Sequence, residues 1–278
     1  MKSMARLDPT PAEPPFPPVE TAPGRLAAGA LVICDHAANA LPARYGSLGL
    51  EREALARHIA YDIGAAALAR ALAARLAAPA VLSTFSRLLI DPNRGADDPT
   101  LVMRYSDGAI VPGNARVDAA EIERRKERFW APYRDEIAAT IEAMIAAGEP
   151  PALISIHSFT PVWRGAPRRW KIGVLWDRDG RVPKPLLAAL AAEPDIGPEA
   201  IGDNEPYDGA LAGDTIDALA TSRGLANALI EVRQDLIAAT EGAAAWADRL
   251  ARLLKPILVD RANRIPRDFG SRAQGRGT

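Results

Sequence analysis

Short apolar runs alternate with long helical periods along this chain. Six runs read as strands: "ALVIC" (30–34), "AVLSTF" (80–85), "RLLID" (87–91), "ALISIH" (152–157), "KIGVLW" (171–176) and "NALIEVR" (227–233). Between and after them, 51–77, 118–147, 183–193, 214–223 and 240–262 carry apolar residues at helical spacing. Asp118 followed by Glu121 is a capping-box pattern, and Gly148 with Pro150 is a stop signal. Strands alternating with helices predict an α/β fold: three α/β/α layers, with a mostly parallel sheet covered by helices on both faces. One domain over 25–265 accounts for the pattern. Residues 1–24, rich in proline, predict an extended, poorly ordered arm, and 266–278 a frayed basic tail. Two polar connections, 91–114 and 197–215, are long enough to be functional lids, and they hold Tyr105, Asn114, Asn204 and Tyr207.

Composition narrows the function classes. The formal net charge of the 278 residues is −1, which gives no broad attraction to nucleic acid or to an acidic membrane. The alanine-rich stretches carry arginines and read as helices, not membrane spans. The single cysteine, Cys34, excludes an intramolecular disulfide, fits a reducing compartment and reads as a buried structural thiol. The proline-rich start lacks the apolar core of a secretory signal, so a cytoplasmic location is expected.

Polar chemistry gathers at predicted strand ends, where open α/β sheets bind ligands. His36 follows the first strand, His157 ends "ALISIH", and Glu231 and Arg233 share one face near the end of "NALIEVR". An acid and a base on a covered face either pair with each other or serve a site. On a helical wheel over 51–77, Leu55, Ile59, Ile63 and Ala66 form the inner stripe. Asp62 falls within it and His58 at its edge. A buried acid needs a partner, so Asp62 either pairs with His58 or looks across at the His36 loop. His58 itself reads as structural or as a support behind a ligand. Arg87, Asp91, Asn93 and Arg94 crowd into eight residues, which suits either a surface turn or a carboxylate-binding cluster.

These parts suit a catalytic zinc site with three protein ligands. His36 and His157 supply imidazoles and an acid the third ligand. Such an ion activates water and polarises a carbonyl. Glu231 is placed as base, and an arginine as oxyanion stabiliser. The expected reaction is metal-assisted hydrolysis of an amide in a small anionic substrate. No G-x-S-x-G elbow, P-loop, G-x-G-x-x-G turn after a strand, or Cys-x-x-Cys pair occurs.

In chain order, "CDHAANALP", "RHIAYDIGA", "FSRLLIDPNR", "VPGN", "ISIHSFTP", "GDNEPY" and "IEVRQDLI" resemble the N-formylglutamate amidohydrolase family over roughly residues 30–240. The resemblance implies a zinc carboxypeptidase-like fold. It also implies release of formate from N-formylglutamate or a similar N-acyl acidic amino acid, a step of histidine degradation. By this resemblance His36 and His157 are metal ligands, Glu231 the base, and Arg87 catalytic. The substrate-binding candidates are Asn39, Asp91, Asn93, Arg94, Ser158, Asn204, Tyr207 and Arg233. Zinc carboxypeptidases carry their acidic ligand three residues after the first histidine, where this chain has Asn39. The third ligand is therefore expected to be Asp62, with Asp35 as the alternative. The "DHAAN" loop also differs from the proline-histidine-serine-glycine form of the better-studied deformylases. Alternative substrates are N-succinyl or N-acetyl amino acids or a peptide C-terminus. A dicarboxylate-binding protein without catalysis is the non-enzyme alternative.

Overall fold

The computed structural model describes residues 15–148 and 150–273; most of the predicted N-terminal arm lies outside them. In chain order the strands are β1 (Val19–Ala22), β2 (Ala30–Cys34), β3 (Ala80–Ser83), β4 (Tyr105–Ser106), β5 (Ala109–Ile110), β6 (Ala152–Phe159), β7 (Val162–Trp163), β8 (Ala166–Pro167), β9 (Ile172–Leu175), β10 (Ile201–Asp203) and β11 (Asn227–Arg233). The α-helices are α1 (Arg52–Leu55), α2 (Ala65–Leu76), α3 (Ala119–Arg125), α4 (Ala131–Ala146), α5 (Pro183–Ala191), α6 (Thr215–Leu219) and α7 (Thr240–Val259). Seven strands form one sheet in the order β1-β3-β2-β6-β11-β9-β10. The centre, β3-β2-β6-β11, is parallel; β1 and β9 join it antiparallel, and β10 runs parallel to β9. Two small hairpins, β4-β5 and β7-β8, stand apart from the sheet.

Strand alternation divides the core into two layers. Ala30, Val32 and Cys34 of β2, with Ala228, Ile230 and Val232 of β11, pack with the buried faces of α2, α5 and α7. Leu31 and Ile33, with Leu153 of β6 and Leu229 of β11, face Tyr133, Ile137 and Ile141 of α4. Helices therefore cover both faces of a mostly parallel mixed sheet, as the sequence pattern predicts. None of the described helices is long and apolar enough to cross a membrane.

Several elements depart from expectation, each for a local reason. The helix predicted over 51–77 breaks between α1 and α2. Gly64 adopts φ +83°, and an added Cβ there would lie 2.2 Å from the Ile237 carbonyl oxygen. Across the break Asp62 N–H donates to His36 O at 2.9 Å, so the chain leaves its helix to reach the end of β2. "RLLID" is a buried turn, not a strand. Its carbonyls are satisfied by side chains: Asn114 Nδ2 donates to Leu88 O at 2.7 Å and Arg125 to Leu89 O at 2.8 Å. The helix over 118–147 forms with its predicted Asp118 cap but contains a π-helical turn, Lys126–Trp130, that seats Phe129 in the core. β1 takes residues from the expected arm and pairs with β3. In the expected tail, Arg272 clamps Asp177 and Asp208, and Ser271 and Ala273 are buried.

Gly64 thus fixes where Asp62 lies. Alanine in this left-handed conformation costs about 1–3 kcal/mol before its clash is counted. Gly64→Ala is expected to lower stability by at least that much, read as a reduced midpoint in chemical denaturation.

Candidate active site

On the face toward α4, each central strand turns from apolar to polar as it nears its carboxyl end. β2 presents Leu31 and Ile33 and is followed by Asp35; β6 presents Leu153, Ser155 and His157; β11 presents Leu229 and Glu231. Asp35, His36, Asp62, His157 and Glu231 are all buried, and His157 and Glu231 are register partners across β6 and β11. β6 continues two residues past His157, which places that histidine inside the strand.

Asp62 is the meeting point. Its Oδ2 accepts from His157 Nδ1 at 2.9 Å and from Ser158 N–H at 3.2 Å, and lies 3.4 Å from His36 Nδ1. Its Oδ1 lies 3.3 Å from Arg87 Nη1 and 3.6 Å from His58 Nδ1. Each histidine is oriented from its far side by a carboxylate. His36 Nε2–H donates to Asp91 Oδ1 at 2.8 Å, and His157 Nε2–H to Asp35 Oδ2 at 3.1 Å. Asp35 is itself held by Ser155 Oγ at 3.0 Å and Thr215 Oγ1 at 2.6 Å. Two carboxylates thus fix both rings with Nδ1 aimed at Asp62.

Donor atoms of His36, Asp62 and His157 all lie within 4.8 Å of one another, so these three could hold a metal ion. Two imidazole nitrogens and a carboxylate oxygen are a donor set that fits a divalent ion such as zinc. Without an ion the cluster balances its own charge. Burial opposes ionisation of Asp62, but Arg87, His36 and His157 outweigh it and hold its carboxyl well below the usual range. Burial likewise opposes protonation of both rings. Asp91 and Asp62 raise His36 against it, and Asp35 and Asp62 raise His157 well above the ordinary imidazole value.

Glu231 is the group left over. Its Oε2 is buried and, among the described residues, accepts no hydrogen bond. Burial, with the Asp62 charge adding to it, pushes its carboxyl up to about 7 against the nearby cations. A carboxyl poised near neutrality beside a cation site suits proton transfer.

These groups open onto a cavity of about 500 Å³. Its walls come from the connections above the sheet, including both long loops and the β7-β8 hairpin, through residues such as Met103, Trp163, Tyr207 and Leu211. Arg87, Asn93, Arg94, Ser158 and Tyr207 reach this wall as expected. Other expected substrate contacts have different duties. Asp91 orients His36, and Ser158 Oγ donates to Ile63 O at 2.9 Å beside Asp62. Three candidates lie off the wall. Asn39 Nδ2 ties down Leu55 O at 2.9 Å, and Asn204 Oδ1 accepts from Trp176 N and Gly209 N, shaping the 197–215 loop. Arg233 pairs with Asp235 and with the carbonyls of Arg168 and Trp170, not with Glu231. Asp35, the alternative third ligand, has its oxygens taken by His157, Ser155 and Thr215. The sequence reading missed Thr215 and the β7-β8 hairpin, whose one signal is Arg164-Gly165 between short extended pairs.

The fold and site define an α/β/α protein with a buried His-His-Asp cluster beside the carboxyl ends of its central strands. The N-formylglutamate amidohydrolase family model matches residues 28–238, and the chain belongs to that family of amidohydrolases. Among solved structures, the gene product Atu2144 from Agrobacterium tumefaciens is 35% identical, with a TM-score of 0.81 over 87% of this chain and 95% of that one. The N-formylglutamate amidohydrolase from Ralstonia eutropha JMP134 shares the fold at 21% identity, with a TM-score of 0.64 over 87% and 97% of the two chains. No curated protein sequence matches the chain.

Calorimetric zinc titration of metal-stripped protein checks the cluster. His157→Ala is expected to abolish stoichiometric binding. Asp35→Asn and Asp91→Asn are expected to weaken it by roughly 10–100-fold, the usual cost of losing a carboxylate behind a ligating histidine.

Proposed function

We propose that this chain is a metal-dependent amidohydrolase that removes a formyl group from an N-formyl amino acid, with N-formylglutamate as reference substrate. The observation that carries the reading is the convergence of both Nδ1 atoms on Asp62, with each Nε2 locked by its own carboxylate, beside Glu231, whose buried Oε2 accepts no hydrogen bond among the described residues. His36, Asp62 and His157 would hold the ion, with zinc the identity proposed. When bound, it would polarise the formyl carbonyl and make water more acidic.

Glu231 takes a proton from the water that attacks the formyl carbon and returns it to the amide nitrogen as the C–N bond breaks. Formate and the free amino acid result. Arg87, within 3.3 Å of Asp62 and 3.2 Å of His36, directs positive charge to where the carbonyl oxygen gains charge. Asp35 and Asp91 keep the imidazoles in one orientation throughout. Arg94, on the cavity wall, offers a guanidinium to the substrate carboxylate. The single buried thiol, Cys34, is consistent with work in the cytoplasm.

Formate release from N-formylglutamate by zinc-loaded protein tests the reading, and the same preparation treated with chelator is expected to be inactive. Glu231→Gln is expected to lower kcat by roughly 10²–10⁴-fold. Activity equal to wild type in that variant would remove Glu231 from the mechanism. The wild-type kcat/KM is expected to rise with pH as Glu231 ionises.

Stability moves the other way. The fold favours the protonated carboxyl, so its contribution is full below pH 4.5 and is lost as pH rises through about 7. Metal-free Glu231→Gln should therefore show a flatter melting profile across that window than wild type.

A further inference from the structure

Among the described residues, Arg87 and Arg94 are the only guanidinium groups on the cavity wall. Arg87 is committed to Asp62 and to the Ile59 and His58 carbonyls. Arg94 spends Nε on Thr100 Oγ1 and Nη1 on Asn93 O, and among the described residues makes no ion pair. Against these two stand six carboxyl side chains on the same wall: Asp62, Asp91, Asp107, Asp208, Asp214 and Glu231. Asp107 pairs with Arg57 and Asp208 with Arg272, so those arginines are already neutralised.

The rest of the wall includes Ile59, Met103, Trp163, Leu175, Leu211 and Leu229. Leu175 and Leu229 are register partners on β9 and β11, and Leu229 stands two residues before Glu231 on the same strand face. They form an apolar floor directly beside the candidate base. A carboxylate set down there would lose its water without gaining a partner, whereas an apolar side chain would be stabilised by the same burial. At about 500 Å³ the cavity lies in the range that takes drug-sized ligands, roughly 300–1,000 Å³.

Arg168 is a further cation beside the wall residues Trp163 and Tyr207. Its guanidinium lies 5.3 Å from the Trp163 ring and 5.1 Å from the Tyr207 ring, and it is absent from the cavity wall. Those rings occupy the cation instead of a substrate.

We propose that, on the amidohydrolase reading of this site, the substrate carries a single carboxylate, held at Arg94, and an apolar side chain seated on Leu175, Leu211 and Leu229. The substrate class is an N-formyl derivative of an apolar amino acid, not an acidic one.

The test compares kcat/KM for N-formyl-leucine and N-formylglutamate on zinc-loaded enzyme. The expected preference is roughly 10-fold or more for the leucine derivative, the scale on which apolar pockets discriminate. Leu211→Arg, at a half-buried position of the wall, should erase or reverse it. Binding is read separately from turnover, as the rise in melting temperature of zinc-loaded Glu231→Gln with each compound, and leucine should again lead. An equal or better rate and stabilisation with N-formylglutamate would overturn the inference while leaving the amidohydrolase reading standing. Loss of that preference in Arg168→Gln would then place the second carboxylate on Arg168. Stronger stabilisation by the leucine derivative without formate from either compound would support the cavity assignment and sink the hydrolase reading. No stabilisation and no formate would sink both.

Discussion

The site depends on the ionised, buried carboxylate of Asp62. A carboxylate 2% exposed survives only where donors surround it. Here they come from three separate parts of the chain: His36 after β2, Arg87 in the buried turn after β3, and His157 with the Ser158 amide in β6. None of these segments would hold its polar group alone. Removing Asp62 would leave two imidazoles and a guanidinium facing one another without the carboxylate that favours their protonation. The break between α1 and α2, and the left-handed Gly64 that allows it, are what deliver the carboxylate there. The helix gives up continuity so that one acid reaches the sheet.

The sheet supplies the rest by an economy of alternation. A single face carries Leu31 and Ile33 on β2, Leu153 on β6 and Leu229 on β11, and changes to Asp35, Ser155, His157 and Glu231 further along the strands. The apolar part packs on α4 and makes the floor rigid, so the polar part inherits fixed positions. Arg134 then joins the upper structure to this floor. From α4 its guanidinium donates to the carbonyls of Pro92, Gly213 and Asp214, which belong to the two long loops. Thr215, at the start of α6, closes the link by donating to Asp35. Loop walls and the polar end of the sheet are therefore one hydrogen-bonded unit.

What was legible in the sequence follows from this division. Five of the six expected strands form, because runs such as "ALVIC" and "NALIEVR" must be buried on both faces wherever they sit. His36, His157 and Glu231 were readable from alternation and from their place at strand ends. Asp62 was singled out on a wheel for a helix that does not exist at that position. An acid among apolar neighbours needs a buried partner whatever the backbone does, and Asp62 meets His36, Arg87 and His157. "RLLID" misled for the converse reason: its burial is real, but side-chain caps satisfy its backbone where a neighbouring strand was expected. Asn39, Asn204 and Arg233 misled because polarity near a site says nothing about direction. All three side chains turn to backbone groups or to a neighbouring acid. The β1 strand and the Arg272 clamp are distant pairings that no local pattern announces.

The two orienting carboxylates explain why so many acids can share one small volume. Asp35 and Asp91 each stand behind a histidine, on the side away from Asp62. Burial alone would drive both toward the neutral acid. The imidazoles more than offset it: His157 and His36 hold Asp35 below its ordinary value, and His36 with Arg94 does the same for Asp91. Acid and base thus alternate through the cluster, from Asp35 to His157, Asp62, His36 and Asp91. A divalent ion replacing protons on the two Nδ1 atoms would preserve that alternation. Glu231 stands outside the chain of pairs and is the acid whose proton remains negotiable. The asymmetry between five committed groups and one carboxyl outside their pairing is a chemical property of this arrangement, and it follows from which strand faces carry which residues.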